Sequence, residues 1–258
     1  MRGLFDITGK VALITGGAQG LGRLMARGMV EAGASVYITS RRAEQCGQAA
    51  RELSVYGKCF GIQADVGNPE GVLALSTEIK AREKRLDILI NNAGKTWGAP
   101  LESFPDHAWS RVMSVNVQGP FTLIRELLPV LQAAATAEDP ARIINVGSIA
   151  GTVVEPLQAY SYAASKAAIH HLSRVLAADL SSHHINVNVL VPGYFPTQMM
   201  AHVHADEVEH EKLSARIPLG RLGNGADIAG CCIFLASRAG SYLTGSEIYV
   251  DGGMSGCR

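Results

Sequence analysis

Short runs rich in aliphatic and β-branched residues recur along the chain at 11–15, 35–39, 59–64, 86–90, 142–146, 185–191 and 247–250, with longer helical stretches between them. The clearest helix begins near Leu21: Leu21, Leu24, Met25, Gly28 and Met29 share one face, and Gly33 supplies a C-terminal stop. Strand-length apolar runs alternating with amphipathic helices predict an α/β fold, a doubly wound Rossmann-type domain with a seven-stranded parallel sheet and helices on both faces. No repeat, low-complexity tract or linker-like shift breaks the pattern, so residues 1–258 read as one domain. The stretch 196–217 departs from it. It opens on Pro196 and Thr197 and mixes three histidines with Asp206, Glu207, Glu209 and Glu211, as expected of a solvated helical excursion placed where a lid over a ligand would lie.

Composition narrows the picture in three ways. A chain of 258 residues that is 47% hydrophobic can bury a sizeable core. Its 23 basic and 23 acidic side chains balance, so nothing in the overall charge calls for nucleic acid as a partner. The five cysteines, an odd number without CxxC spacing, argue against a disulfide framework or a metal site and read as reduced thiols. With no apolar run near ~18 residues and no signal segment, no membrane partner is expected and the default location is cytoplasmic.

Candidate chemistry sits at the predicted strand ends. The first strand runs through Gly16, Gln19, Gly20, Leu21 and Gly22 into a helix, where an open α/β sheet binds a pyrophosphate on helix amides; such turns also use glycine for steric reasons alone. After the second strand, where an acid would bind the ribose 2′-hydroxyl of NAD, stand Ser40, Arg41 and Arg42. These suit a 2′-phosphate and favour NADP(H), although helix-start arginines are also ordinary surface charges. Asp65 and Val66 end the third strand and Asn91, Asn92, Ala93 and Gly94 the fourth, at the same carboxyl edge, with turn chemistry as the plain alternative. Ser148 follows the fifth strand, and Tyr162 and Lys166 come fourteen and eighteen residues later, four apart on one helix face. A phenol is a poor acid near neutrality, and an adjacent ammonium favours its anion, so Lys166 is expected to tune Tyr162.

Through the glycine turn, Asn91 to Gly94, Ser148, Tyr162 to Lys166 and Pro192-Gly193, the chain resembles the short-chain dehydrogenase/reductase family over essentially its whole length. The resemblance implies hydride transfer between a nicotinamide and a carbonyl/alcohol pair. Tyr162 would then be the acid/base, Ser148 would hydrogen-bond the substrate oxygen, Lys166 would also hold the nicotinamide ribose, and Asn116 would support a proton-relay water. It further assigns Asp65 and Val66 to the adenine, Asn92, Ala93 and Gly94 to the adenosine ribose region, and Phe195 and Thr197 after Pro192-Gly193 to the carboxamide. Family members commonly form homotetramers through two long helices, here near 107–135 and 159–181.

Within the family the likeness is greatest to bacterial 3-oxoacyl reductases, through Asn92 to Gly98, Leu127 to Leu131 and Ala141 to Asn145. That implies a 3-oxoacyl thioester or other hydrophobic ketone, with Trp97, Tyr194, Phe195, Met199 and Met200 as candidate pocket walls. The four carboxylates of 206–211 against Lys212 and Arg216 disfavour an acidic acyl carrier protein. The rivals are a polyol or sugar dehydrogenase of the same fold and a non-catalytic dinucleotide sensor. The latter would have been free to lose Ser148, Tyr162 or Lys166.

Overall fold

All four residues of β1 (Val11–Ile14) are buried, as are all eight of β6 (Ile185–Pro192), which is what a strand covered on both faces requires. The computed structural model describes residues 3–155, 157–197 and 207–257. With β2 (Ser35–Ser40), β3 (Cys59–Gln63), β4 (Ile88–Asn91), β5 (Ala141–Val146) and β7 (Glu247–Val250), these strands form one parallel sheet in the order β3-β2-β1-β4-β5-β6-β7. The order reverses between β1 and β4, so the loops leaving those two strands diverge and open a crevice at the carboxyl edge.

Helices α1 (Gly20–Glu31), α2 (Ala43–Leu53) and α8 (Gly225–Ala236) cover one face, packing Met25, Met29, Leu53, Ile228 and Leu235 on Ile14, Ile38 and Ile90. The other face carries α3 (Pro69–Arg82), α5 (Gly119–Ala134) and α6 (Tyr160–Leu180), with Leu75, Ile79, Leu127 and Leu176 on Leu13, Leu89 and Ile143. Gly28 is needed where α1 meets α8, since a Cβ there would lie 2.4 Å from that of Ala229. Asn224 starts α8 with a reciprocal capping box to Asp227, and Asn68 caps α3 ahead of Pro69.

The helical stretch expected near 107–135 is broken. Between α4 (Asp106–Met113) and α5 lies a π-helical turn, Ser114–Gln118, which carries Asn116. The stretch 196–217 contains α7 (Glu207–Ala215), and it is less solvated than its charges imply: Leu213 and Ile217 are buried, Ile217 against Ile149, Val189, Val191 and Met254.

Candidate active site

One cavity of about 380 Å³ runs along the carboxyl edge of the sheet, walled by the loops after β1 to β6 and by α6. The glycine turn forms one end. Gly16 and Gly20 take positive φ of 66° and 53°, and a Cβ on Gly22 would lie 2.4 Å from the Gly16 carbonyl oxygen, so this tight approach excludes a side chain. The turn is tied to the β4 loop: Thr15 Oγ1 accepts from the N–H groups of Asn92 and Ala93, both at 3.0 Å, and Asn92 Nδ2 donates to Thr15 O at 2.9 Å. Gln19, Leu21, Ser40 and the exposed Arg41 and Arg42 line this end, and Asp65 and Val66 line the flank. Asp65 Oδ1 accepts from Gly67 N–H at 2.9 Å, shaping the loop after β3.

Ser148, Tyr162 and Lys166 form the wall at the far end, with Ala93, Gly94, Pro192, Gly193, Phe195 and Thr197 beside them. Ser148 stands at the end of β5, where its Oγ accepts from Ala150 N–H at 3.2 Å. Lys166 is buried and donates from Nζ to the Val146 carbonyl at 2.7 Å; burial draws its pKa down to about 8. Burial raises the Tyr162 phenol above its ordinary value, while a hydrogen bond with Ser148 pulls it back. Burial and the Ser148 hydroxyl set the direction of this shift, while the Lys166 ammonium donates to the Val146 carbonyl.

Asn116 is buried behind the wall. Its Oδ1 accepts from Lys95 N–H at 2.8 Å, and its Nδ2 donates to Lys95 O and Ser165 Oγ, each at 2.9 Å, so the side chain clamps the β4 loop onto α6. Such π-helical turns gather at functional sites. All nineteen positions expected to bind a dinucleotide line the cavity, and Asn116 stands one layer back.

The substrate end differs in detail from the sequence reading. Tyr194 and Phe195 line the cavity, but Trp97 does not; it packs edge-on against His107 with ring centroids 5.1 Å apart. Met199 and Met200 lie outside the described residues. Ile149, Glu155 and Leu157 join the lining without any motif to announce them. Tyr194 donates its hydroxyl to Glu155 Oε2 at 2.5 Å, Arg216 pairs with the same oxygen at 3.3 Å, and Glu155 Oε1 is buried without a partner.

The residues fit a nicotinamide dinucleotide phosphate: glycines that leave room for a pyrophosphate at a helix start, two arginines at the β2 end and a polar wall at the other. Comparison with known proteins agrees. The family model described as enoyl-(acyl carrier protein) reductase matches residues 16–255. The chain is 48% identical over 253 residues, 98% of its length and 99% of the relative's, to the rhamnolipids biosynthesis 3-oxoacyl-[acyl-carrier-protein] reductase of Pseudomonas aeruginosa. It superposes on the solved Pseudomonas aeruginosa RhlG/NADP active-site complex with a TM-score of 0.96 at 48% identity, covering 98% of this chain and 99% of that one. A 2-dehydro-3-deoxy-D-gluconate 5-dehydrogenase of Pseudoalteromonas atlantica is 35% identical over 98% of both.

Proposed function

The chain belongs to the short-chain dehydrogenase/reductase family, and from that premise we propose that it reduces 3-oxoacyl thioesters or similar hydrophobic ketones at the Ser148–Tyr162–Lys166 wall. It is an NADP(H)-dependent oxidoreductase acting between CH–OH and C=O. The observation that carries the substrate reading is the continuity of one cavity from Arg41 and Arg42 to Tyr162, Ile149, Leu157 and Tyr194. The bound cofactor supplies the hydride. Ser148 Oγ holds the substrate oxygen, and the Tyr162 hydroxyl gives its proton to that oxygen as the alkoxide develops. The Lys166 ammonium stabilises the phenolate left behind, and Asn116 keeps the Lys95 loop against α6 so that the wall does not open.

Arg41 and Arg42 would hold the 2′-phosphate, Ser40, Asp65 and Val66 would surround the adenosine, and Gly16, Gln19, Gly20, Leu21 and Gly22 would cradle the pyrophosphate. Asn92, Ala93 and Gly94 would flank the adenosine ribose, while Pro192, Gly193, Phe195 and Thr197 would border the nicotinamide.

A thioester delivered as a coenzyme ester or free, rather than on an acyl carrier protein, accords with the acidic run 206–211. A cytoplasmic homotetramer accords with the free cysteines and with the outer faces of the long helices, where Phe121, Val175 and the small Ala164, Ala167 and Ala178 are exposed. One observation favours a second reading: the unpartnered Glu155 Oε1 would accept from a sugar hydroxyl, as a polyol dehydrogenase requires. NADPH oxidation measured across 3-oxoacyl coenzyme esters, 3-oxoacyl carrier proteins, free ketones and sugar ketones tests both. The coenzyme esters are expected to exceed the sugars in kcat/KM by at least about tenfold. The reverse order overturns the thioester reading.

A further inference from the structure

Behind Ser148 stands a buried histidine that neither the motifs nor the reaction calls upon. The Ser148 backbone N–H donates to His170 Nε2 at 3.3 Å. An accepting Nε2 carries no proton, so the neutral ring holds its proton on Nδ1. The ring is wedged between two glycines that bracket the serine in sequence. A Cβ on Gly147 would lie 2.2 Å from Nε2, so a side chain there would evict the imidazole, and one on Gly151 would lie 2.9 Å from the Lys166 carbonyl carbon and 3.2 Å from Cε1, so glycine lets the loop close onto α6 beside the ring. His170 Nδ1 lies 3.3 Å from Glu247 Oε2 of β7 without a well-aligned hydrogen bond, so the carboxylate acts on it mainly by charge, with a weaker hydrogen-bond contribution. Glu247 is held in turn by Arg174 and by the Tyr249 hydroxyl at 2.7 Å.

We propose that His170 is a positioning residue for the reductase: its neutral ring fixes the Ser148 main chain by accepting that amide proton, and protonation of the ring releases the serine and stops turnover on the acid side. The proposal rests on the reading of Ser148 as the group that holds the substrate oxygen. A proton on Nε2 turns the acceptor into a donor facing another donor, and a buried N–H opposed to an N–H forces the loop to move. The charged groups around the ring are Glu247 on β7 and Lys166 and Arg174 on α6, with Tyr249 acting through Glu247. Burial lowers the His170 pKa, Glu247 raises it, and Lys166 and Arg174 lower it, which sets the release below the ordinary histidine range. The Ser148 amide bonds to His170 Nε2, its carbonyl accepts from Gly151 N–H at 2.9 Å, and Gly147 N–H donates to Leu190 O at 2.8 Å, so the ring completes the set of bonds that holds the serine.

The test compares wild type with His170→Gln, whose amide oxygen accepts without titrating, and with His170→Leu, which fills the space without accepting. His170→Leu is expected to lower kcat about 100-fold, the scale of a misplaced catalytic group, with the KM for NADPH within about twofold of wild type. His170→Gln is expected to recover most of kcat and to lose the acid limb of the pH profile. Equal losses in both variants, or a normal kcat in His170→Leu, overturn the proposal. In the NADP⁺-bound wild type, ¹⁵N-histidine NMR is expected to show the Nδ1–H tautomer, protonating over the range in which turnover falls; an Nε2–H tautomer overturns the proposal even if the variants fail to fold. Ser148→Ala separates the two claims. Near-normal turnover there removes the reading of Ser148 and the gate with it, whereas an inactive Ser148→Ala beside a fully active His170→Leu removes the positioning role alone.

Discussion

Lys166 stands one turn after Tyr162 on α6, with its Nζ 5.6 Å from the centre of the Tyr162 ring and 2.7 Å from the Val146 carbonyl oxygen. The ammonium is therefore anchored to the end of β5 and faces the ring from a fixed point. A cation held at the end of a buried strand is set in place before substrate arrives, which is what electrostatic preorganisation requires.

That placement costs stability, and the cost depends on pH. The folded pKa of Lys166 is about 8, below the 10.5 of the free side chain. The unfolded chain thus binds the extra proton between those values, and the stabilising contribution of the neutral amine is complete above 10.5 and lost as pH falls through 8. Urea unfolding of the unliganded protein should show wild type gaining on Lys166→Met by up to about 3 kcal/mol between pH 7 and pH 11. A pH-independent difference would contradict the buried ammonium.

The glycine turn leaves no room for a methyl group. Gly22→Ala would place its Cβ 2.4 Å from Gly16 O and 2.5 Å from Asn92 Nδ2, pushing apart the contacts that tie the turn to the β4 loop. The expected result is a loss of about 1–3 kcal/mol in stability and a weakening of NADPH binding, read by denaturant unfolding and by cofactor fluorescence titration. Wild-type values for both would show that the turn yields at no cost.

Arg41 and Arg42 line the cavity at the end of β2, where no acid is present to bind a ribose 2′-hydroxyl. Arg41→Ala should raise the Kd for NADPH about tenfold or more while leaving NADH within about twofold, the asymmetry expected when a charged hydrogen bond to phosphate is removed. Equal effects on the two cofactors would reject phosphate selection by this residue.

Much of the fold was legible because strands buried on both faces read as short runs rich in aliphatic residues, even where Arg142, Asn145, Asn186 and Asn188 interrupt them. Those seen at 11–15, 142–146 and 185–191 differ from β1, β5 and β6 by no more than a residue at either end. Ser148, Tyr162 and Lys166 were legible because i,i+4 spacing on a helix and a strand end leave little freedom in where they point. The π-helical turn at 114–118 was not, since one inserted residue hardly disturbs an apolar pattern, and its reason lies in the bonds of Asn116 to Lys95 and Ser165, far away in sequence. Trp97 was misplaced because an aromatic next to a glycine motif says nothing about which way the loop turns; its partner, His107, comes from α4. His170 carried a signal that could have been read: it lies one turn beyond Lys166 on the same face, and Gly147 and Gly151 mark the backbone it approaches.

In the proposed reaction the Tyr162 hydroxyl is the source of the proton, and Tyr162→Phe tests this most directly. Single-turnover oxidation of bound NADPH by a 3-oxoacyl thioester, followed by absorbance in rapid mixing, should slow by about 10³-fold or more in the variant while the NADPH Kd stays within about twofold. A variant that transfers hydride at close to the wild-type rate would contradict the assignment.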